Sequence, residues 1–244
     1  MGERVARARG RLNGAPMLVV LTGAGISAES GLATFRDAGG LWEGHRPEAV
    51  ATPEAFARDR AMVHRFYNAR RKAAAEARPN AAHFALATLQ ERLGAQMLLV
   101  TQNVDGLHDR AGHRRHIAMH GKLSRACCGA CQARWDCAPE MAPEDPCPAC
   151  GAPETRPDIV WFGEMPFEMD RIYEALSQAT HFAALGTSGQ VYPAAGFAEV
   201  AAEYGARCWE MTLQPSGNPY FEEVIPGPAT ETVPRWCEEI VDKL

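Results

Sequence analysis

Four polar side chains in one stretch of this chain have the types and spacing to hold a sugar and take a proton from it. "TQNVDGLHDRAG" sets Gln102, Asn103 and Asp105 directly after a run of Met, Leu and Val, and "IAMHGKL" sets His120 between an apolar segment and Gly121. Imidazole titrates near neutrality, so His120 is a candidate base toward a sugar hydroxyl. Asn and Asp also serve turns, and a lone histidine is usually structural. The catalytic reading therefore depends on these groups meeting in space.

A second chemistry is metal binding. "CCGACQARWDCAPEMAPEDPCPACG" holds Cys128-x2-Cys131 and Cys147-x2-Cys150, with 15 residues between the pairs. Two such knuckles suit one tetrahedral Zn²⁺ with four thiolates, and a full shell of protein ligands makes that zinc structural. Cys127 could replace Cys128, Cys137 is a spare thiol, and a redox-active thiol cluster is the competing reading. Cys208 and Cys237 lie apart in apolar surroundings. Crowded Cys-x2-Cys pairs suggest a reducing compartment rather than disulfides.

A third is recognition of phosphate. Gly23-Ala24-Gly25 follows the apolar "LVVLT", and residues Ile26 to Gly31 resemble the start of a short helix with Ser27 as its N-cap. Small residues there allow backbone N–H groups to approach a pyrophosphate. Ala28 stands where G-x-G-x-x-G needs its third glycine, so the loop alone is a weak signal. "LGTSG" (185–189) and "MTLQPSG" (211–217) end similarly. The fourth candidate is "YNAR", where Tyr67 and Arg70 share a helix face. A phenol beside a guanidinium can read a carboxylate; the plain alternative is a packed tyrosine next to a solvated arginine.

The elements that must position these groups follow from hydrophobic pattern. Buried strands are expected at 17–23, 96–104, 181–188 and 206–213, and helices at 80–94, 168–179, 192–205 and 233–244. Strands alternating with helices imply a Rossmann-like parallel sheet with helices on both faces, with ligands bound outside the strands' carboxyl ends. Residues 38–80 carry a helical pattern without a strand, and 125–153 have no clear period. The expected division is a Rossmann-like dinucleotide-binding domain from 1–37, 81–124 and 154–244. A helical insertion at 38–80 and a zinc-binding module at 125–153 would together form a small domain.

Composition narrows the class. The 244 residues carry a formal net charge of −5, which argues against non-specific nucleic-acid binding. The acidic "PEDP" weakens a zinc-ribbon nucleic-acid reading. No apolar run reaches the ~18 residues of a membrane span. The Arg-rich start has no hydrophobic centre, so it does not read as a secretory signal. A cytoplasmic protein is expected. The oligomeric state is left open, with a monomer favoured.

Taken together, "GAGISAESGLATFR", "TQNVDGLH", "MHGKL", the two Cys-x2-Cys pairs, "VWFGE" and "GTSGQVYPAA" occur in sirtuin order. The chain resembles the sirtuin family from about Leu18 to its end, and within it the bacterial NAD-dependent protein-lysine deacylases. The resemblance implies that NAD is consumed as a co-substrate. The acyl oxygen of a modified lysine attacks the nicotinamide ribose, nicotinamide leaves, and a base helps a ribose hydroxyl attack the acyl carbon. Free lysine and an acylated ADP-ribose result.

By motif match His120 is that base, and Asn103 and Asp105 hold nicotinamide and its ribose, with Gln102 in support. Gly23, Ala24 and Gly25 face the pyrophosphate, Phe35 and Arg36 close over the reacting ribose, and Thr34 is a further cofactor-binding residue. Gly186, Thr187 and Ser188 contact the ribose–phosphate region, and Thr212, Gln214 and Ala229 the adenosine end. Thr212 and Gln214 depart from the family's Asn-Leu-Glu pattern. Residues 161–164, including Phe162, Gly163 and Glu164, and the segment at Val191 would pair with an extended substrate peptide. The Tyr67-x-x-Arg70 pair resembles the branch that removes acidic acyl groups, and Ala51 matches a small residue in its pocket. Succinyl- and malonyl-lysine are the expected substrates, with acetyl-lysine possible. The other readings are NAD-dependent ADP-ribosyl transfer to protein and a non-enzymatic NAD or ADP-ribose sensor.

Overall fold

The computed structural model describes residues 17–34 and 44–244. The Arg-rich start, Phe35, Arg36 and the first residues of the 38–80 insertion fall outside this range. Strand β1 (Leu18–Thr22) runs into the short helix α1 (Gly25–Ala28). Three helices follow without a strand: α2 (Pro47–Val50), α3 (Pro53–Arg58) and the long α4 (Arg60–Glu76). Then come α5 (Ala81–Leu93), β2 (Met97–Thr101), α6 (Leu107–Arg110) and β3 (His116–Ala118). Strands β4 (Gly121–Cys128), β5 (Arg134–Asp136) and β6 (Thr155–Ile159) lead to α7 (Met169–Gln178) and β7 (His181–Leu185). The chain closes with α8 (Phe197–Glu203), β8 (Arg207–Thr212), β9 (Glu223–Pro226) and α9 (Ala229–Ile240).

Six strands form one parallel sheet in the order β3-β2-β1-β7-β8-β9. Alternate residues of β1 explain why Leu18–Leu21 are all apolar. Val19 and Leu21 enter a core with Ile172 and Leu176 of α7 and Phe197 of α8, whereas Leu18 and Val20 meet Leu86 of α5 and Trp236 of α9. With both faces covered, no position on β1 is left for a polar alternation. The strand order reverses between β1 and β7, which places a crevice at their carboxyl ends.

A separate three-stranded antiparallel sheet, β5-β4-β6, holds the Cys-x2-Cys knuckles. It uses residues 121–128 and 155–159, so it reaches past 125–153 at both ends. Helices α2–α4 pack on it through a third core that includes Phe56, Val63, Phe66, Tyr67, Leu123, Ile159 and Trp161. Arg71 fastens α4 to this sheet: its Nε donates to the Leu123 carbonyl at 2.7 Å and its guanidinium also reaches the Pro139 carbonyl.

Three local expectations change. Ser27 lies inside α1, not at its N-cap, which is Ala24; the Ser27 hydroxyl has a partner in the crevice instead. The 192–205 helix begins with a 3₁₀ turn, Ala194–Gly196, before α8. The last helix starts at Ala229 although Pro234 is inside it. Proline suggests a helix start, but here the turn before it is secured by Glu29, whose carboxylate accepts from the Thr230 N–H at 3.0 Å and from its hydroxyl.

Candidate active site

The crevice is built where β1, β2 and β7 end. Gly25 N–H donates to the Gly186 carbonyl at 2.7 Å, and a Cβ on Gly25 would lie 2.7 Å from that oxygen. Gly186 has φ +58°, and a Cβ there would come within 2.4 Å of Ile26 N. The small residues of the 23–25 loop thus let two strand ends touch, and the Gly25 N–H is already used by the protein.

Beside this junction the polar groups converge. Asn103 Nδ2 donates to the Gly23 carbonyl at 3.0 Å and lies 3.2 Å from Ser27 Oγ. Ser27 Oγ donates to Asp105 Oδ2 at 2.8 Å, and Leu107 N–H caps Oδ1 at 2.8 Å. Burial raises the Asp105 carboxyl above its ordinary value, and those two donors oppose it. Gln102 Nε2 donates to Thr187 Oγ1 at 3.0 Å, tying the end of β2 to that of β7.

His120 sits where the large sheet hands over to the small one. Its Nδ1 lies 3.1 Å from the Gln102 carbonyl. A carbonyl only accepts, so Nδ1 carries the proton and Nε2 keeps its lone pair. Burial lowers the imidazole's affinity for a proton, offset in part by that carbonyl, so the ring is neutral and able to act as a base. Gly121, with φ +87°, makes this turn possible: a Cβ would meet the Asp158 carbonyl oxygen at 2.0 Å.

The remaining candidates spread along the same edge. Thr34 and Thr212 are half-buried, Ser188 and Gln214 are exposed, and Ala229 opens α9. Among the described residues, no hydrogen bond joins these five to the Asn103–Asp105 group.

The four cysteines meet. Cys128 and Cys150 sulfurs are 3.7 Å apart, as are Cys131 and Cys147, and all four lie within 4.8 Å of one another. Four sulfurs at ~2.3 Å from one ion in a tetrahedron lie roughly 3.8 Å apart, so the set fits Zn²⁺. The knuckles share a backbone: Gln132 N–H bonds the Cys128 carbonyl and Gly151 N–H the Cys147 carbonyl, with φ of 62° and 74°. Cys127 instead points toward the Pro157 carbonyl and Cys137 toward that of Leu123.

On α4, Tyr67 is fully buried and accepts a hydrogen bond from Trp161 Nε1 at 2.9 Å. Burial pushes its phenol well above the ordinary range, against the pull of that donor and of Arg70 and Arg156. Arg70, one turn on, is half-buried with its guanidinium 5.9 Å from the Phe66 ring centre. Ala51 belongs to the same core as Tyr67, and its carbonyl accepts from Phe162 N–H at 3.0 Å. Residues 161–164 form a turn in which Gly163 has φ +87°. Glu164 faces inward: its carboxylate takes the Trp161 N–H and both ends of the Arg156 guanidinium. Burial alone would raise that carboxyl, but Arg156 holds it below its usual value. Val191 is half-buried on the far loop.

The model of the Sir2 family matches residues 23–193. This chain belongs to the sirtuin family. The NAD-dependent protein deacylase of Caulobacter vibrioides is 50% identical, over 96% of this sirtuin and all of that protein. The enzyme of the same name from Escherichia coli strain K12 is 53% identical, over 94% and 84%. A solved Sir2 homolog–NAD complex superposes with a TM-score of 0.84 at 38% identity, covering 93% of this chain and 90% of that one. Sir2Tm bound to a propionylated peptide superposes at 0.77 with 27% identity, covering 95% and 96%. Sirtuin homologues bind NAD, and the four-cysteine cluster fits a structural zinc site.

Several residues of this sirtuin's site were not legible beforehand. Ser27 reads as a cap residue but links Asn103 to Asp105. His83 of α5 lies 3.5 Å from the Ser27 hydroxyl and accounts for the polar break in an otherwise apolar helix pattern. Arg156, and the link from Trp161 to Tyr67, reveal themselves only through contacts across the small lobe.

Proposed function

We propose that this sirtuin is an NAD-dependent protein-lysine deacylase that removes succinyl and malonyl groups, and acetyl groups as well, releasing nicotinamide and 2'-O-acyl-ADP-ribose. The coarser part, NAD-dependent protein deacylation, follows from family membership and from identities of 50–54% with deacylases over nearly the whole chain. The acidic preference rests on one observation: Tyr67 and Arg70 stand one helical turn apart beside the small Ala51, and no acceptor for the Tyr67 proton occurs among the described residues. A buried carboxylate is costly without partners. A guanidinium and a phenol O–H supply them.

In this reading NAD provides the ribose carbon that accepts the acyl oxygen. Asn103 and Asp105 orient the nicotinamide end, Asp105 through a carboxylate already steadied by Ser27 and Leu107. His120 Nε2 takes the ribose hydroxyl proton, and the Gln102 carbonyl stabilises the imidazolium that results. Gly23, Ala24 and Gly25, with Gly186, Thr187 and Ser188, line the phosphates; Thr212, Gln214 and Ala229 lie toward the adenosine. The peptide backbone pairs with residues 162–164 and the segment at Val191. The thiolate zinc site suits a reducing compartment, the cytoplasm.

Arg70→Met tests the acyl preference. Hydrogen bonds to a charged group contribute about 1.5–3 kcal/mol, so kcat/KM on a succinyl-lysine peptide should fall roughly 10- to 100-fold. The rate on the acetyl-lysine peptide should change far less. Equal losses on both substrates would reject the carboxylate reading.

A further inference from the structure

We propose that Trp161 is a positioning residue for acyl selectivity: it fixes Tyr67 as a hydrogen-bond donor toward the acyl group, and Arg156 with Glu164 holds the indole in place. This rests on the acidic-acyl reading above and goes beyond it in saying why the phenol discriminates.

Indole N–H is a donor with no acceptor capacity. Trp161 Nε1 is 2.9 Å from the Tyr67 oxygen, with Trp161 2% and Tyr67 0% exposed. The phenol must therefore accept from the indole, and its own proton must go elsewhere. Among the described residues no acceptor receives it. A phenol in water would give and take freely; this one is left with a proton to donate in a site where water is scarce. An acyl terminus that only accepts, a carboxylate, satisfies it. A terminus that presents N–H groups meets a partner of the same polarity.

The indole itself cannot turn away. The Arg156 guanidinium lies over its ring, with Cζ 3.6 Å from the centre. The Phe56 ring is 5.3 Å away, centre to centre. Glu164 grips Arg156 at 2.7 and 2.8 Å and takes the Trp161 backbone N–H at 2.8 Å, while Arg156 also donates to the Ile159 carbonyl. Glu164, Arg156, Trp161 and Tyr67 thus form one chain of contacts from the 161–164 turn to the acyl pocket. Any fault in the turn passes to the phenol as lost orientation.

The test compares three peptides that differ only at the lysine: succinyl, its primary-amide counterpart, and acetyl. The acetyl rate is an internal reference, because whatever the turn does to peptide binding it does to all three. In the wild-type enzyme succinyl should be preferred to its amide. In Trp161→Phe the succinyl-to-acetyl ratio of kcat/KM should fall roughly fivefold, the size of one neutral hydrogen bond. The fall should appear mainly in KM for succinyl peptide, and the bias against the amide should shrink with it. In a Tyr67→Phe background Trp161→Phe should leave both ratios unchanged.

Should Trp161→Phe fold poorly, the sulfur isostere 3-benzothienylalanine at position 161 keeps the ring shape and the Arg156 stack and removes only the N–H; the same changes are expected. An unchanged succinyl-to-acetyl ratio in both variants, in an enzyme that does prefer succinyl, overturns the positioning role alone. So does an equal effect of Trp161→Phe with and without the Tyr67 hydroxyl. A wild-type enzyme with no preference for succinyl over its amide or over acetyl overturns the acidic-acyl reading and this inference together.

Discussion

The large sheet and the small lobe are stabilised in opposite ways. Strands β1, β2 and β7 bury nearly every side chain between two layers of helices. The β5-β4-β6 sheet packs on α2–α4 through its small core, while at its knuckles Cys131 and Cys150 are themselves exposed. What replaces a hydrophobic interior there is four sulfurs around one point, with Arg71, Asn68 and Arg60 tying α4 to the surrounding loops. The two regions meet at His120 and Gly121. His120, the proposed base, therefore draws its position from both: the Gln102 carbonyl belongs to the large sheet, and the Asp158 backbone against Gly121 belongs to the small one.

The largest expected effect comes from removing the zinc. Structural sites of this type contribute on the order of 10 kcal/mol to folding. Chelation, or Cys147→Ser, should unfold the small lobe and abolish turnover of every acyl substrate. The parallel sheet should survive as a cooperative unit, seen as retained far-UV circular dichroism and a remaining thermal transition. A single transition lost all at once on chelation would show instead that the two regions do not differ in this way.

This contrast also explains what the sequence disclosed. Strands β1, β2, β7 and β8 were legible because burial on both faces leaves largely apolar runs, whereas the short edge strands β3 and β9, with His116 and Glu223 among their few residues, carry no such run. The knuckles were legible because thiolate geometry demands short Cys spacing. Strand β4 was not, since its residues alternate between the small core and solvent over a span that includes Lys122, Ser124 and Arg125. The crevice was legible in its members but not in its wiring: nothing local says that Ser27 bonds Asp105, 78 residues away. The contact of Trp161 with Tyr67 escaped for the same reason, because the two are 94 residues apart.

A smaller effect should appear with acid, and it should begin in the large region. His83, His108, His113 and His116 form a cluster behind Asp105, with ring centres 4.9 to 6.3 Å apart. Burial is the main cause that pulls His83 and His113 down to about 4, aided by Arg110 and by His116 respectively, and it pulls His108 well down too. The unfolded chain takes protons below about pH 6.5, whereas His83 and His113 in the folded protein stay neutral until near pH 4. Stability is therefore full above pH 6.5 and falls as the pH drops toward 4. By linkage, His83 and His113 should each remove about 2 kcal/mol by pH 5. Urea midpoints at pH 7.5 and pH 5 should show the loss before a zinc-sensitive dye reports any metal release. His113→Leu should flatten the dependence by about one histidine's share. An unaltered slope in that variant would place the acid sensitivity elsewhere, with the thiolates of the small lobe the next suspects.

The smallest effect probes how finely the large region divides its stability. Glu29 follows α1 and reaches the first turn of α9, where its carboxylate accepts from the Thr230 N–H and hydroxyl. It supplies the cap that Pro228 cannot, since Pro228 at the N-cap position makes no side-chain bond. A cap of this type contributes about 1 kcal/mol, and this one is at the surface. Glu29→Ala should therefore lower the melting temperature by about 2–4 °C, with zinc content unchanged. Ser27 is two residues upstream of this anchor, so loosening α1 should register weakly in NAD affinity. A large drop in melting temperature would mean that the α1–α9 contact is a keystone of the sheet. A shift of a few degrees with intact zinc would instead show a region whose stability is spread over many modest contacts, unlike the lobe that depends on four sulfurs.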